Sequence, residues 1–289
     1  MIELINHSVQ LLPDRPLLEE IEQAGRTCYK SEDKITEGSA ERFVRTLVKN
    51  KHGAMTEFGT IYFDLEDLPL RKDWNPEEQK IVYNSHNTFK NNYYVTSNFR
   101  VILEAFDYDF DKAFAWIKEY NLPWDNRFER RIQFRIICDR GVTHELVRHR
   151  VFSFAQESTR YVRYSDKQPM RFICPAWWQY GPGEFCIVGD EMICQLKNME
   201  LSEVTTNGEA QGLIYTLQTT ADAYAFLLDL GQTPQQARAV LPNALKTEIV
   251  MAGTLSQWKA FCILRDAPTA HPDMQPIGKF IAEAIKSYE

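Results

Sequence analysis

The chain has 289 residues, 44% hydrophobic and 25% charged, which allows a large core and excludes a mainly disordered protein. Its formal net charge of −7 argues against general affinity for nucleic acid and leaves open a local basic site for a small anion. Six cysteines include no CxxC pair, the first residues lack a signal peptide's basic and apolar regions, and no apolar run approaches a membrane span. Together these features predict a cytoplasmic protein with reduced thiols and no membrane contact.

In chain order, Phe43, Val44, Leu47 and Val48 fall at helical spacing and predict an amphipathic helix over 40–48. Ile61, Phe63 and Leu65 alternate with polar neighbours, the pattern of a half-buried strand. Residues 68–127, rich in Asn, Tyr, Asp and Trp, hold a strand at Tyr93–Val95 and a helix near Asp111–Glu119, with no flexible linker around them. A second long strand is predicted from Phe128 to Cys138. It puts Ile132, Phe134, Ile136 and Cys138 on one face and Arg131, Gln133 and Arg135 on the other.

Asp139-Arg140-Gly141 reads as a turn, and Thr143 as the N-cap of a short helix reaching Arg150. Leu213, Leu217, Ala221, Tyr224 and Leu228 mark a long helix that stops at Gly231. Thr233 and Gln236 form a capping box around Pro234, and Pro242 ends the short helix they open. A strand at Glu248–Met251, a helix to Arg265 and a last helix from about Pro272 complete the chain. Without a βαβ rhythm, these elements predict an α+β fold, a mixed sheet flanked by helices. A single domain over 1–289 is expected, with 68–127 as an elaboration on it.

Chemistry concentrates between Arg148 and Arg163, where four arginines, one histidine, two serines and a threonine occur. Guanidinium forks suit phosphate and carboxylate, and the hydroxyls add neutral partners. The same stretch could be a solvated basic face, but Phe152, Phe154 and Tyr161 would anchor it. A single-stranded nucleic-acid binder stacking bases on those rings, or a structural oligomer held by arginine ion pairs, are the rival readings. His144-Glu145 and His149 nearly match HExxH. The second histidine stands one residue too far round the helix, so no metal is expected. Arg238 alone is an ordinary surface arginine. Arg265 shares a helical stripe with Trp258 and Phe261, where a guanidinium should meet an anion or polar ligand.

Arg148-His149-Arg150 followed by Ser158 after seven residues resembles the flavin-dependent thymidylate synthases. Thr143–Leu146, Ser158–Tyr161, Ala24–Tyr29, Gln236–Asn243, Leu264-Arg265 and Ala270-His271 resemble the same family, and the likeness spans about 20–65 and 128–285. The resemblance implies an α+β homotetramer with shared active sites. It implies FAD as cofactor, with NADPH and 5,10-methylenetetrahydrofolate as co-substrates, and methylation of dUMP to dTMP. It further implies that Glu145, Leu146, Val147, Arg148, Gln156, Glu157, Ser158, Thr159, Arg160 and Arg238 hold dUMP. Arg265 would bind and activate the uracil. Arg148, His149, Arg150, Gln156, Thr254, Ser256 and His271 would face the flavin. Ala54, Phe58, Thr254, Ser256 and Ala260 depart from the residues usual on the flavin side, and 68–127 is an insertion relative to compact members.

Overall fold

The computed structural model describes residues 1–68, 75–165, 168–188, 192–197, 200–204 and 208–288. Positions 69–74 of the insertion and the side chain of Cys194 lie outside this description. The chain opens with β1 (Ile2–Ile5), β2 (Ser8–Leu11), α1 (Leu17–Tyr29), α2 (Ser39–Lys49) and α3 (Gly53–Thr56). After β3 (Thr60–Asp64) come α4 (Pro76–Val82), β4 (Thr88–Lys90), β5 (Tyr94–Asn98), α5 (Phe99–Ala105) and α6 (Phe110–Tyr120). Next are β6 (Arg131–Asp139), α7 (Arg140–Leu146), β7 (Ser153–Gln156) and β8 (Arg171–Ile173). Then follow β9 (Gly183–Val188), β10 (Met192–Lys197), β11 (Glu200–Val204) and α8 (Gly208–Asp229). Last are α9 (Pro234–Ala237), β12 (Lys246–Thr254), α10 (Leu255–Arg265) and α11 (Gln275–Ile285).

The fold is α+β; where a mixed sheet flanked by helices is expected, the strands among the described residues form three sheets, one of them mixed. Their orders are β11-β10-β9-β1-β8, β2-β6-β12-β7 and β3-β5-β4, and β1 with β8 is a parallel pair. Alternation in sequence reveals strands without revealing their partners, so the division was not legible beforehand.

The four-stranded sheet positions the site. β6 lies antiparallel to β12 along its whole length, and β12 also pairs with β7. One face carries Phe134, Ile136, Ile249 and Met251, packed against Leu146, Trp258, Phe261 and Ile277 from α7, α10 and α11. On the other face Val250, Ala252 and Ala155 pack on Ala24 of α1 and on Phe58. Coverage of both faces explains the near-continuous apolar run in β12.

The insertion shares a core with the preceding helices: Phe99, Trp116 and Ile117 pack with Ile21, Val44 and Phe63. β3 is therefore buried on both faces and not half-buried as its alternation suggests. Tyr62 reaches the far side, 5.3 Å from the Phe128 ring.

Several boundaries moved for local reasons. α7 starts at Arg140, because the Asp139 carboxylate accepts the Val142 N–H at 2.8 Å and caps it. Thr143 is inside that helix, its hydroxyl bonded back to the Arg140 carbonyl, and the helix ends at Leu146 instead of Arg150. α11 begins at Gln275, since a turn from His271 precedes it. α8 ends as predicted, with Gly231 at φ 87 and its N–H on the Leu228 carbonyl.

Candidate active site

Two helix ends meet at the candidate site. α10 delivers Arg265 as its last residue, held in place by the buried Trp258 two turns earlier and Phe261 one turn earlier. The guanidinium bridges three acceptors. Nε donates to His149 Nε2 at 2.8 Å, Nη1 to the Glu145 carboxylate at 2.6 Å, and Nη2 to the Glu145 carbonyl at 3.4 Å. The anion expected for an arginine on this stripe is thus Glu145 itself. Arginine has five N–H donors, so two remain for a ligand.

His149 accepts at Nε2, so that nitrogen carries no proton and the neutral ring holds its proton on Nδ1. Burial, and secondly the positive charge of Arg265, lower its pKa from the ordinary value. Charge on His149 would oppose Arg265, and neutrality lets it act as an acceptor instead. Beyond α7, Arg148 and Arg150 are both exposed, which suits them to a ligand instead of a core role.

Further hydrogen bonds tie the 156–160 segment to distant elements. Gln156, at the end of β7, donates to Thr143 Oγ1 at 3.0 Å and Thr247 Oγ1 at 3.3 Å, fixing α7 against β12. The Ser158 N–H bonds to the Cys28 carbonyl at 3.0 Å, which explains the closeness of Ala24–Tyr29 to the motif. Arg160 Nε donates to Gln235 on α9 at 3.0 Å, and exposed Arg238 follows that helix directly. Residues remote in sequence are therefore brought together.

Other members of the set turn inward. Leu146 and Thr159 are buried, and the Glu157 carboxylate accepts from Lys246 Nζ at 2.8 Å and from the Tyr164 hydroxyl at 3.4 Å. Val147 is exposed. The base-stacking reading finds little support, because Phe152 belongs to the core and Phe154 packs against it.

Arg150, Val147, Phe152 and Thr254 line a cleft of about 540 Å³, together with Ala54 and Glu57 beside α3. Sequence reasoning missed further walls of this cleft: Arg131, Ser153, the 85–88 loop, Ser97 and Asn98. Strand alternation places Arg131 on the polar face of β6 and says nothing of a cleft. Its guanidinium donates to the Glu57 carbonyl and to Ser153 Oγ, each at 2.8 Å. Burial lowers its pKa. Nothing in the sequence singles out Ser97 or Asn98.

The flavin-side set divides. Thr254 is buried, and its hydroxyl caps α10 by accepting from the Gln257 N–H. Ser256 Oγ donates to Glu129 at 2.8 Å. His271 does not line the large cleft. It lies with Glu145, Asn243 and Asp273 on a separate one of about 320 Å³. Phe58 is fully buried, so that position carries packing. Among the described residues, no group of three or more His, Cys, Asp or Glu side chains is placed to hold a metal ion. No described helix is long and apolar enough to cross a membrane.

Fold and site together define an α+β protein in which an arginine-bearing loop, with Arg148, Arg150 and Arg160 exposed, adjoins the ends of α7 and α10. The chain belongs to the family of the thymidylate synthase complementing protein, whose model matches residues 129–288. Similar proteins include flavin-dependent thymidylate synthases from Mycobacterium marinum, 34% identical over 138 residues, and Mycolicibacterium vanbaalenii, 34% over 143. Each alignment takes in 47% of this chain and 48% of the relative. A third, from Corynebacterium efficiens, is 31% identical over 147 residues, covering 51% of this chain and 54% of its own. The chain thus spans about half the length of the curated relatives it matches.

Proposed function

We propose that this protein is a flavin-dependent thymidylate synthase, methylating dUMP to dTMP with 5,10-methylenetetrahydrofolate as carbon donor and NADPH as reductant. The observation that carries the reading is the Arg265–Glu145–His149 cluster beside the Arg148–Arg160 loop. Arg160 and Arg238 take the dUMP phosphate as charged forks, with Ser158 and Gln156 as neutral partners. The Glu145–Arg148 segment lies along the nucleotide, and Leu146, Glu157 and Thr159 contribute backbone and support. Arg265 sets its two remaining N–H groups against the uracil N3 and carbonyl oxygens. Its fixed charge, oriented by Glu145 and neutral His149, stabilises negative charge on the ring and raises electron density at C5, the carbon to be methylated.

The residues present fit FAD. The cleft of about 540 Å³ lies within the usual range for cofactor sites, roughly 300–1,000 Å³. Arg150 supplies a cation for a diphosphate. The buried Ser97 Oγ and Asn98 Oδ1 have no hydrogen-bond partner. When bound, the flavin supplies the electrons of the reductive methylation. This chain's residues orient the nucleotide and supply the field.

Division of the flavin-side residues between two clefts supports a homotetramer, in which His271 of one copy completes the site of another. Five described cysteines, all free, agree with a reducing cytoplasmic setting.

The purified protein is expected to take up FAD with flavin absorbance, to form dTMP from dUMP, and to rescue a thymidine-requiring strain. A colourless protein that ignores added FAD and makes no dTMP would sink the proposal.

A further inference from the structure

We propose that residues 85–98 of the insertion form a wall of the cofactor cleft and hold the flavin nucleotide through Asn87, Ser97 and Asn98. This rests on the flavin reading above and adds a role for a segment that the family motifs do not contain. β5 and the loop before β4 bring these side chains to the lining of the same cleft as Arg150 and Thr254.

All three carry a buried polar atom without a hydrogen-bond partner: Asn87 Oδ1, Ser97 Oγ and Asn98 Oδ1. Ser97 is 2% exposed and Asn98 4%. Leaving a buried polar group unpaired costs about 1–3 kcal/mol, so three such atoms on one cleft call for a partner from outside the chain. The orientation of Asn87 is fixed, because its Nδ2 donates to the Ile81 carbonyl at 2.7 Å and to the Val82 carbonyl at 3.2 Å. Its Oδ1 is therefore an acceptor. Ser97 Oγ accepts as readily as it donates.

An acceptor-rich wall in the same cleft as Arg150 suits a ligand that is anionic at one part and rich in hydroxyl, amino or ring N–H donors at another. A flavin nucleotide has both, in its phosphates and in its ribityl, sugar and ring groups. Ala54 offers the cleft no hydrogen bond from its side chain, and the insertion contributes polar atoms to the same lining.

The test is the double variant Ser97→Ala/Asn98→Ala, titrated with FAD by flavin fluorescence alongside the wild type. Neither hydroxyl nor amide oxygen has a partner in the free chain, and Asn98 gives α5 no side-chain cap bond. The variant's melting temperature should therefore match or exceed that of the wild type, while its FAD dissociation constant rises at least ten-fold. Equal FAD affinity in both proteins overturns the inference and leaves the proposed function standing. So does weaker binding that merely tracks a lower melting temperature, since it marks a structural role. Failure of the wild type to bind FAD overturns both.

Discussion

At the scale of single residues, Arg265 is the most informative position. Replacing it with Ala removes the cation facing the proposed uracil site, and losing one such donor costs on the order of 2.7–4 kcal/mol, about 100- to 1,000-fold in rate. Steady-state dTMP formation should fall by that amount while FAD uptake persists; undiminished turnover would remove Arg265 from the mechanism. Arg265→Lys should restore little, because an ammonium cannot span Glu145 and His149 as a fork does. Glu248 is informative about stability. It pairs with Lys30 at 2.7 Å, Lys246 at 2.8 Å and Arg135. Burial raises its pKa, but Lys246 and Lys30 outweigh burial and hold it at about 2. A depressed folded-state pKa adds stability that is fully present above the ordinary value of 4.5 and lost as pH falls towards about 2. Glu248→Gln should cost about 1–3 kcal/mol in urea unfolding at pH 7, since it removes the charged acceptor shared by three half-buried cations, and should flatten the acid limb. Unchanged unfolding midpoints at pH 7 and pH 3 would contradict this.

Among elements, the α10–α11 contact sets the position of Arg265. A Cβ on Gly278 would sit 2.7 Å from the Arg265 carbonyl carbon and oxygen and 2.8 Å from the Asp266 nitrogen, all backbone atoms that cannot turn aside. Gly278→Ala is therefore expected to cost about 1–3 kcal/mol and to weaken dUMP binding without touching the ligand. Thermal melts and a dUMP titration check both, and wild-type values in each would mean that the helices part freely. Much at this scale was legible in sequence. The helices near 40–48 and 111–119, the capping box at Thr233 and the stop at Gly231 all rest on local periodicity or local chemistry. α7 was misplaced by one turn because Asp139 and Thr143 are both good caps, and the end of β6 decides between them. β1, β2, β4 and β7–β11 have no counterpart in the sequence reading, being short or dependent on partners distant in the chain.

For the whole molecule, the question is whether one copy holds a complete site. Arg150 and Thr254 line one cleft and His271 another, so the proposal requires copies to associate. Light scattering at micromolar concentration should give the mass of a tetramer, four times 33.7 kDa. His271→Ala mixed with Arg150→Ala should recover part of the activity that each lacks alone, provided subunits exchange. A monomeric mass with full activity would show that the two clefts act separately.

By itself the sequence determined the class of the fold, the family resemblance and the motif-borne part of the site's chemical inventory, because spacing within a motif and periodicity within a helix are local properties. Arg148–Arg150, Ser158, Arg238 and Arg265 were all visible as residue types at telling positions. Tertiary structure alone decided their partners: that Arg265 leans on Glu145 and His149, that Gln156 ties α7 to β12, and that Glu157 points into the core. It also decided that the insertion joins the cleft. A strand's neighbours and a cleft's walls depend on contacts between distant segments, and no local pattern in residues 75–127 encodes that Ser97 and Asn98 will line the same cleft as Arg150.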